Sequence, residues 1–253
     1  MSTWAPNQTS ATGGRRGAVL LEVAGLKVAY GKAEVVHGVD LTVHCGEFVV
    51  LLGRNGAGKS TVLHAISGLI AKNAGRVAFS GTDISSESPR AIVAAGMVNV
   101  LEGHRVFTSL TVEDNLLIGT YARNHGGDPS KLERIYAIFP ILAEKRYQLA
   151  SSLSGGQQQI LAVGQGIISD PSLLILDEPS GGLAPVIIDQ ILQVAADLCR
   201  KGTSILLVEQ LVEKALRHAD YCYLMDTGRV ADQGTSAEVH TDDRLHRIFL
   251  GGG

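Results

Sequence analysis

The chain has 253 residues, of which 45% are hydrophobic and 19% are charged, and its formal net charge at pH 7 is −3. This length allows one large α/β domain or two modest ones, and the composition is typical of a globular protein with a substantial aliphatic core. The net charge argues against a large basic field for nucleic acid. No run of about 18 apolar residues occurs, so we expect no membrane-spanning segment.

The first third of the chain is rich in predicted strands. Residues 1–17 are polar and lack the apolar run of a signal peptide, so we expect a disordered lead-in before a single domain over 18–253. Four strands are predicted, the last of them in an antiparallel part of the fold: 19–30, 39–44, 47–53 and 75–81. The run at 47–53 is continuously apolar, which indicates a strand buried on both faces.

The middle of the chain contains few predicted strands and three predicted helix starts. Each start pairs a serine or threonine with an acid or amide three residues later, which is the pattern of a capping box. The pairs are Thr111 with Asp114, Ser130 with Glu133, and Ser154 with Gln157. We therefore predict a helical subdomain over 86–168, inserted into an α/β core made of 18–85 and 169–253.

The last third alternates strands with helices. A buried strand is predicted at 173–178, a helix from Pro185 to about Arg200, a strand at 204–210, a short helix, and a hairpin from 221. This alternation predicts an α/β fold with a mostly parallel sheet.

Three cysteines, Cys45, Cys199 and Cys222, are scattered along the chain. No CxxC pair or cysteine–histidine cluster accompanies them, which argues against a metal site. We expect reduced, buried thiols.

A glycine-rich loop, GRNGAGKS, joins the apolar strand at 47–53 to the helical segment. It matches the phosphate-loop pattern G-x-x-x-x-G-K-[ST], in the strand–loop–helix context which that pattern requires. We expect Lys59 to bridge the β- and γ-phosphates of a nucleotide and Ser60 to bind Mg²⁺. The other residues expected to contact ATP here are Gly53, Asn55, Gly56, Ala57, Gly58 and Thr61.

An acidic pair, Asp177 and Glu178, ends the strand LLILDE. Asp177 can hold the Mg²⁺, directly, through water or through Ser60, while Glu178 is placed to accept a proton from an attacking water as general base. Such a pair alone is a weak signal, but together with the phosphate loop it predicts a P-loop nucleotide-hydrolase core.

A second glycine-rich helix start, LSGGQ at 153–157, has no acidic or basic residue. Helix starts of this kind can bind an anion through free N–H groups and the helix dipole, although a plain helix cap is the alternative. The phosphate loop, LSGGQ and LILDEP, in this order, resemble the ATP-binding cassette (ABC) family. That resemblance implies an ATPase in which Ser154, Gly155, Gly156 and Gln157 contact the ATP bound to a partner subunit.

The resemblance also assigns roles to isolated residues. It places Tyr30 against the adenine ring, although a buried core tyrosine is the alternative. Glu102 stands where most members have a glutamine, and there it would bind Mg²⁺ directly or through water. Gln210 stands where most members have a catalytic histidine, and Ala184 stands in place of an aspartate.

The longer matches resemble the ATPase subunits of branched-chain amino acid importers. These matches are EGHRVF with LTVEDNL, LDEPSGGLAP and LVEQ. The implied partners are a second ATPase subunit, preferably a different one, two membrane permease subunits contacted near His104 and Arg105, and indirectly a solute-binding protein. No nucleic-acid partner is implied, and the implied location is the cytoplasmic face of the cell membrane.

Three alternatives remain open. The first is an ATPase for other amino acids, amides or urea, and the second is a soluble cassette ATPase outside transport. The third is a module that binds ATP without hydrolysing it, against which the presence of Lys59, Asp177 and Glu178 argues. One departure, Gln165 and Gly166 where the family usually has arginine and alanine, has no explanation in the sequence.

Overall fold

A computed structural model of the chain describes residues 17–103, 106–121, 128 and 130–241. Most of the segment predicted to be a disordered lead-in, residues 1–16, therefore lies outside the described residues, as do His104 and Arg105. Within the described ranges no helix has both the length and the apolar character needed to cross a membrane.

A six-stranded sheet forms the centre of the fold, in the order β10-β9-β3-β8-β7-β6. Neighbouring strands run parallel except for the antiparallel hairpin of β9 and β10. The bounds are β3 Phe48–Gly53, β6 Met97–Val100, β7 Leu173–Asp177, β8 Ser204–Glu209, β9 Tyr221–Asp226 and β10 Arg229–Thr235. Every residue of β3, β7 and β8 is buried, as expected for apolar strands covered on both faces. The predicted, mostly parallel sheet is confirmed.

A second, antiparallel sheet has the order β2-β1-β4-β5. Its strands are β1 Val19–Tyr30, β2 Ala33–His44, β4 Ala74–Phe79 and β5 Thr82–Asp83. Apolar side chains of both sheets and of helix α1 (Lys59–Ile66), among them Val62 and Leu63, share one buried cluster. The antiparallel part predicted from the sequence is confirmed, and it covers one side of the helix that follows the phosphate loop.

The remaining helices pack mainly around the other face of the central sheet and in the inserted region. They are α2 Pro89–Ala95, α3 Val112–Tyr121, α4 Ser130–Ile138, α5 Pro140–Glu144, α6 Gly155–Ile168, α7 Pro185–Arg200, α8 Val212–Leu216 and α9 Ser236–Thr241. A second buried cluster joins α3, α4 and α6 to strands of the sheet through side chains such as Leu116, Ile135 and Leu161. The inserted helical region is thus continuous with the core.

Three expectations need correction. Residues 97–100 form the edge strand β6, paired parallel with Leu173–Leu176 of β7, so the helical region begins after this strand and not at 86. Four residues between two helical segments are too few to show a strand period.

Helix α4 starts at Ser130 itself, and the Asp128 carboxylate accepts its backbone N–H at 2.9 Å, so Ser130 is not the cap. Cys45 is exposed, whereas Cys222 is buried as expected.

Close packing of α3 against α6 depends on Gly119. A Cβ atom at this position would lie 2.6 Å from the carbonyl oxygen of Gln165 and 2.6 Å from Cγ2 of Ile168. We expect Gly119→Ala to lower the free energy of unfolding by about 1–2 kcal/mol, because overpacking outweighs the gain in helix propensity. Urea denaturation measures this change, and an unchanged midpoint would contradict the close approach of the two helices.

Candidate active site

Three neighbouring parallel strands bring the predicted site residues together. β3, β8 and β7 lie side by side in the sheet, and the carboxyl ends of parallel strands lie at the same edge. The phosphate loop follows β3. Asp177 is the last residue of β7 and Glu178 comes directly after it, while Gln210 comes directly after β8. This edge is where open α/β sheets bind their ligands.

The phosphate loop has a backbone that needs its glycines. Gly56 and Gly58 have φ values of 81° and 95°, in the left-handed region. A Cβ atom on Gly53 would lie 2.5 Å from the carbonyl oxygen of Met225. Gly58 caps α1 without a side chain, so the loop presents backbone groups at a helix N-terminus, which is the geometry of an anion site.

Lys59 has a buried ammonium group in the middle of this loop. Only 4% of the residue is exposed. Its Nζ donates to the carbonyl oxygens of Gly53 at 3.0 Å and Arg54 at 3.1 Å, and it forms an ion pair with Oε1 of Glu178 at 3.0 Å. The cation is therefore oriented by backbone carbonyls toward the end of β7.

Asp177 and Ser60 lie in contact between the end of β7 and the start of α1. The Ser60 hydroxyl donates to Oδ1 of Asp177 at 3.0 Å, while Oδ2 is buried and has no hydrogen-bond partner among the described residues. His64 Nε2 lies 3.6 Å from that Oδ2. Burial raises the pKa of Asp177, and the nearby charges of Glu178 and Glu102 raise it further. An unsatisfied carboxylate oxygen beside a hydroxyl fits Mg²⁺, which binds one or two carboxylates together with substrate phosphates.

Glu178 lies in a turn that is unusual for its residue type. Its φ is 43°, in the left-handed region, and its N–H donates to Val208 O at 3.0 Å. The Oε1 atom faces Lys59, and Oε2 accepts the amide of Gln210 from Nε2 at 2.5 Å. Strained conformations of this kind cluster at functional sites. The carboxylate is thus held from two sides, as a positioned general base would be.

Two further predicted residues lie at the margin of this cluster. Tyr30 is 53% exposed at the end of β1, so it is not a buried core tyrosine. Glu102 is exposed, and its charge reaches Asp177. That Tyr30 contacts the adenine ring and that Glu102 binds Mg²⁺ both remain predictions.

The LSGGQ segment begins α6 through a reciprocal capping box. Gln157 N donates to the Ser154 hydroxyl at 3.3 Å, and Ser154 N donates to Oε1 of Gln157 at 3.1 Å. Ser154 and Gly155 are exposed. The predicted cap is confirmed, and it is separate from the contacts that Lys59, Asp177 and Glu178 make in the described part of this chain.

Gln165 and Gly166, unexplained in the sequence, have clear structural roles. The Gln165 amide donates to the carbonyl oxygen of Asn115 at 2.9 Å and to its Oδ1 at 3.1 Å, which joins α6 to α3. A Cβ atom on Gly166 would lie 2.8 Å from Cγ2 of Val100. The small residue therefore lets α6 approach β6, the strand that leads to Glu102.

Sequence reasoning missed one residue of this cluster, Glu209. It is the last residue of β8 and is 1% exposed. Burial raises the pKa of its carboxyl group. The only signal in the sequence was an acid at the end of an apolar strand, because two of the four donors that satisfy it, the N–H and hydroxyl groups of Ser180, come from a distant loop.

Comparisons with known proteins find relatives that match most of the chain. A model of the ABC transporter family matches residues 36–181. The high-affinity branched-chain amino acid transport ATP-binding protein BraG of Pseudomonas aeruginosa is 39% identical, over 88% of this chain and 96% of that protein. The probable branched-chain amino acid transport ATP-binding protein LivF of Archaeoglobus fulgidus is 33% identical, over 92% and 99%.

A more distant relative and a solved structure are also similar. The lipopolysaccharide export system ATP-binding protein LptB of Haemophilus influenzae is 28% identical, over 92% of this chain and 97% of that protein. The crystal structure of a nucleotide-free ATP-binding cassette from an ABC transporter superposes with a TM-score of 0.81 at 25% identity. The match covers 93% of this chain and 100% of that one.

Proposed function

The chain belongs to the ABC transporter family and is an ATPase, and from this premise we propose that it powers the uptake of branched-chain amino acids. The observation that carries the proposal is the 39% identity with a branched-chain amino acid transport ATP-binding protein over 96% of that protein's length. The LivF relative, covered over 99% of its length, supports the same solute class.

We assign the hydrolytic roles from the contacts at the edge of the sheet. The phosphate loop binds the phosphates of ATP, and Lys59 neutralises the charge on the β- and γ-phosphates. Glu178 orients the attacking water and accepts its proton at a carboxylate oxygen. Gln210 holds that carboxylate through its amide. Ser60, Asp177 and Glu102 would hold Mg²⁺, which when bound neutralises phosphate charge.

A complete site needs a second subunit in this proposal. Ser154 and Gly155 are exposed and Gly156 and Gln157 are half-buried at the start of α6, where backbone N–H groups and the helix dipole favour an anion. We infer that they contact the ATP held by a second ATPase subunit, preferably a different chain. Two membrane permease subunits would bind this pair at the cytoplasmic face of the cell membrane, with a solute-binding protein acting on the opposite side.

Two other transport functions fit the same ATPase. Importers of other amino acids, amides or urea would use the same motifs. Lipopolysaccharide export is a further candidate because LptB proteins are 28% identical over nearly their whole length. A soluble ATPase outside transport is less well supported, because the relatives described above carry transport names.

The uptake proposal is tested by trapping the closed dimer. A tagged Glu178→Gln chain, expressed in its native cell, is captured with ATP and Mg²⁺ from detergent-solubilised membranes. Two polytopic permeases and a second cassette subunit would support an importer, whose solute is then tested with the matching binding protein. Recovery of lipopolysaccharide export components would select the export alternative, and recovery of soluble partners alone would overturn the transport role.

Gln210→His is expected to speed hydrolysis at this site. The amide of glutamine is neutral, whereas a protonated imidazole donates charge-assisted hydrogen bonds that are roughly twice as strong. We expect a single-turnover rate about fivefold higher, which corresponds to about 1 kcal/mol of extra transition-state stabilisation. An unchanged or lower rate in rapid-quench measurements would show that glutamine is fully competent here.

A further inference from the structure

Glu209 is a buried carboxylate that joins two loops of the active site. Its Oε1 accepts the backbone N–H of Ser180 at 3.1 Å, and its Oε2 accepts the Ser180 hydroxyl at 2.8 Å. The same Oε2 accepts the backbone N–H groups of Gln210 at 3.0 Å and Leu211 at 3.4 Å. One side chain therefore binds the loop after β7 and the loop after β8.

The chemistry of this contact requires an acceptor with two oxygens. Burying a carboxylate is unfavourable unless hydrogen bonds compensate it, and here four donors surround it. An apolar residue in its place would leave the N–H groups of Ser180 and Gln210 without this acceptor. The arrangement is thus specific to a carboxylate and to these two loops.

Each loop begins beside a residue to which we assign a role in hydrolysis. Glu178 precedes Ser180 by two residues and has a left-handed φ of 43°. Gln210 directly follows Glu209, and its amide reaches Oε2 of Glu178 at 2.5 Å. The side chain of Glu209 therefore fixes the distance between the backbones of Glu178 and Gln210. A second link is the hydrogen bond that the Glu178 N–H donates to the carbonyl oxygen of Val208.

We propose that Glu209 is a positioning residue for hydrolysis, which clamps the Ser180 loop to the Gln210 loop and so holds Glu178 at the attacking water. The inference rests on the proposed role of Glu178 as general base. Glu209 touches neither nucleotide nor water in this scheme and acts only through the two loops.

Glu209→Gln tests the clamp with little change in volume. One oxygen can still accept three of the donors, but the new NH₂ group faces the Ser180 N–H, so the Ser180 loop loses one of its two hydrogen bonds to this side chain and shifts away from it. Because displacement of a catalytic group by about 1 Å can reduce a rate up to about 100-fold, we expect kcat to fall about tenfold or more. The affinity for a fluorescent ATP analogue should stay within about twofold of wild type, since the phosphate loop is untouched.

Ser180 supplies a second variant should Glu209→Gln fail to fold. Ser180→Ala removes the hydroxyl donor and should lower kcat severalfold, while Ser180→Thr keeps the hydroxyl and should restore it. The double variant Glu209→Gln with Ser180→Ala should lose less than the product of the two single losses, because each variant breaks one of the two hydrogen bonds that hold the same loop, and either loss loosens it.

Glu47→Gln is the matched control. Glu47 is 6% exposed and accepts the His44 N–H at 2.8 Å, but it lies at the opposite end of β3 from the phosphate loop. It should lower thermal stability without lowering kcat. Wild-type kcat in Glu209→Gln, or an equal loss in Glu47→Gln, would overturn the clamp. Normal hydrolysis in both Glu209→Gln and Glu178→Gln would overturn the role of Glu178 itself.

Discussion

Glu178→Gln is expected to lower the rate of ATP hydrolysis at least about 100-fold, because general-base catalysis contributes about 10²–10⁴-fold and an amide cannot accept the proton. ATP binding should persist, since Lys59 keeps its contacts with Gly53 O and Arg54 O and loses only a competing carboxylate. Uncleaved ATP should then hold two subunits together. Size-exclusion chromatography with ATP and Mg²⁺ measures the dimer, and phosphate release measures the rate.

The control for this variant is Glu213→Gln. Glu213 is an exposed acid in the first turn of α8, just beyond the Gln210 loop, and it is outside the hydrolytic cluster. It should leave both rate and dimerisation unchanged. Hydrolysis within about tenfold of wild type in Glu178→Gln would show that another group accepts the proton.

Local patterns predicted those parts of the site whose geometry is local. The phosphate loop, the end of β7 and the capping box at Ser154 each depend on residues within one short segment, and the structure places the strands and helices around them as expected. Gln210 was predicted by resemblance alone, but its hydrogen bond to Glu178 joins residues 32 positions apart and depends on the order of strands in the sheet.

Residues with distant partners were not predictable in the same way. Glu209 accepts two of its four hydrogen bonds from Ser180, 29 positions away, and Gln165 donates to Asn115, 50 positions away along the chain. The edge strand β6 was missed because its four residues show no period, and only its pairing with β7 defines it. Tertiary packing thus decided the features that spacing could not.

The buried ammonium of Lys59 joins activity to stability, and a pair of variants can separate the two. Lys59→Met keeps the volume but removes the cation, so the γ-phosphate loses its charge-assisted contact. We expect hydrolysis to fall at least about 100-fold, because such electrostatic contacts are among the largest catalytic contributions. The ATP affinity should fall as well, unlike in Glu178→Gln.

Lys59→Met should also destabilise the fold, because it leaves Glu178, whose side chain is 16% exposed, without its cation. Removing one partner of a largely buried ion pair leaves the other charge uncompensated. Here the Gln210 amide still donates to the Glu178 carboxylate and offsets part of this cost. We therefore expect the free energy of unfolding to fall by about 1–3 kcal/mol. Adding Glu178→Gln to Lys59→Met removes that charge and should restore most of the stability while hydrolysis stays absent. Urea denaturation of the single and double variants decides the point. A double variant no more stable than Lys59→Met would mean that an unpaired Glu178 carboxylate costs the fold nothing, and that any loss in Lys59→Met comes from the other contacts of the ammonium group.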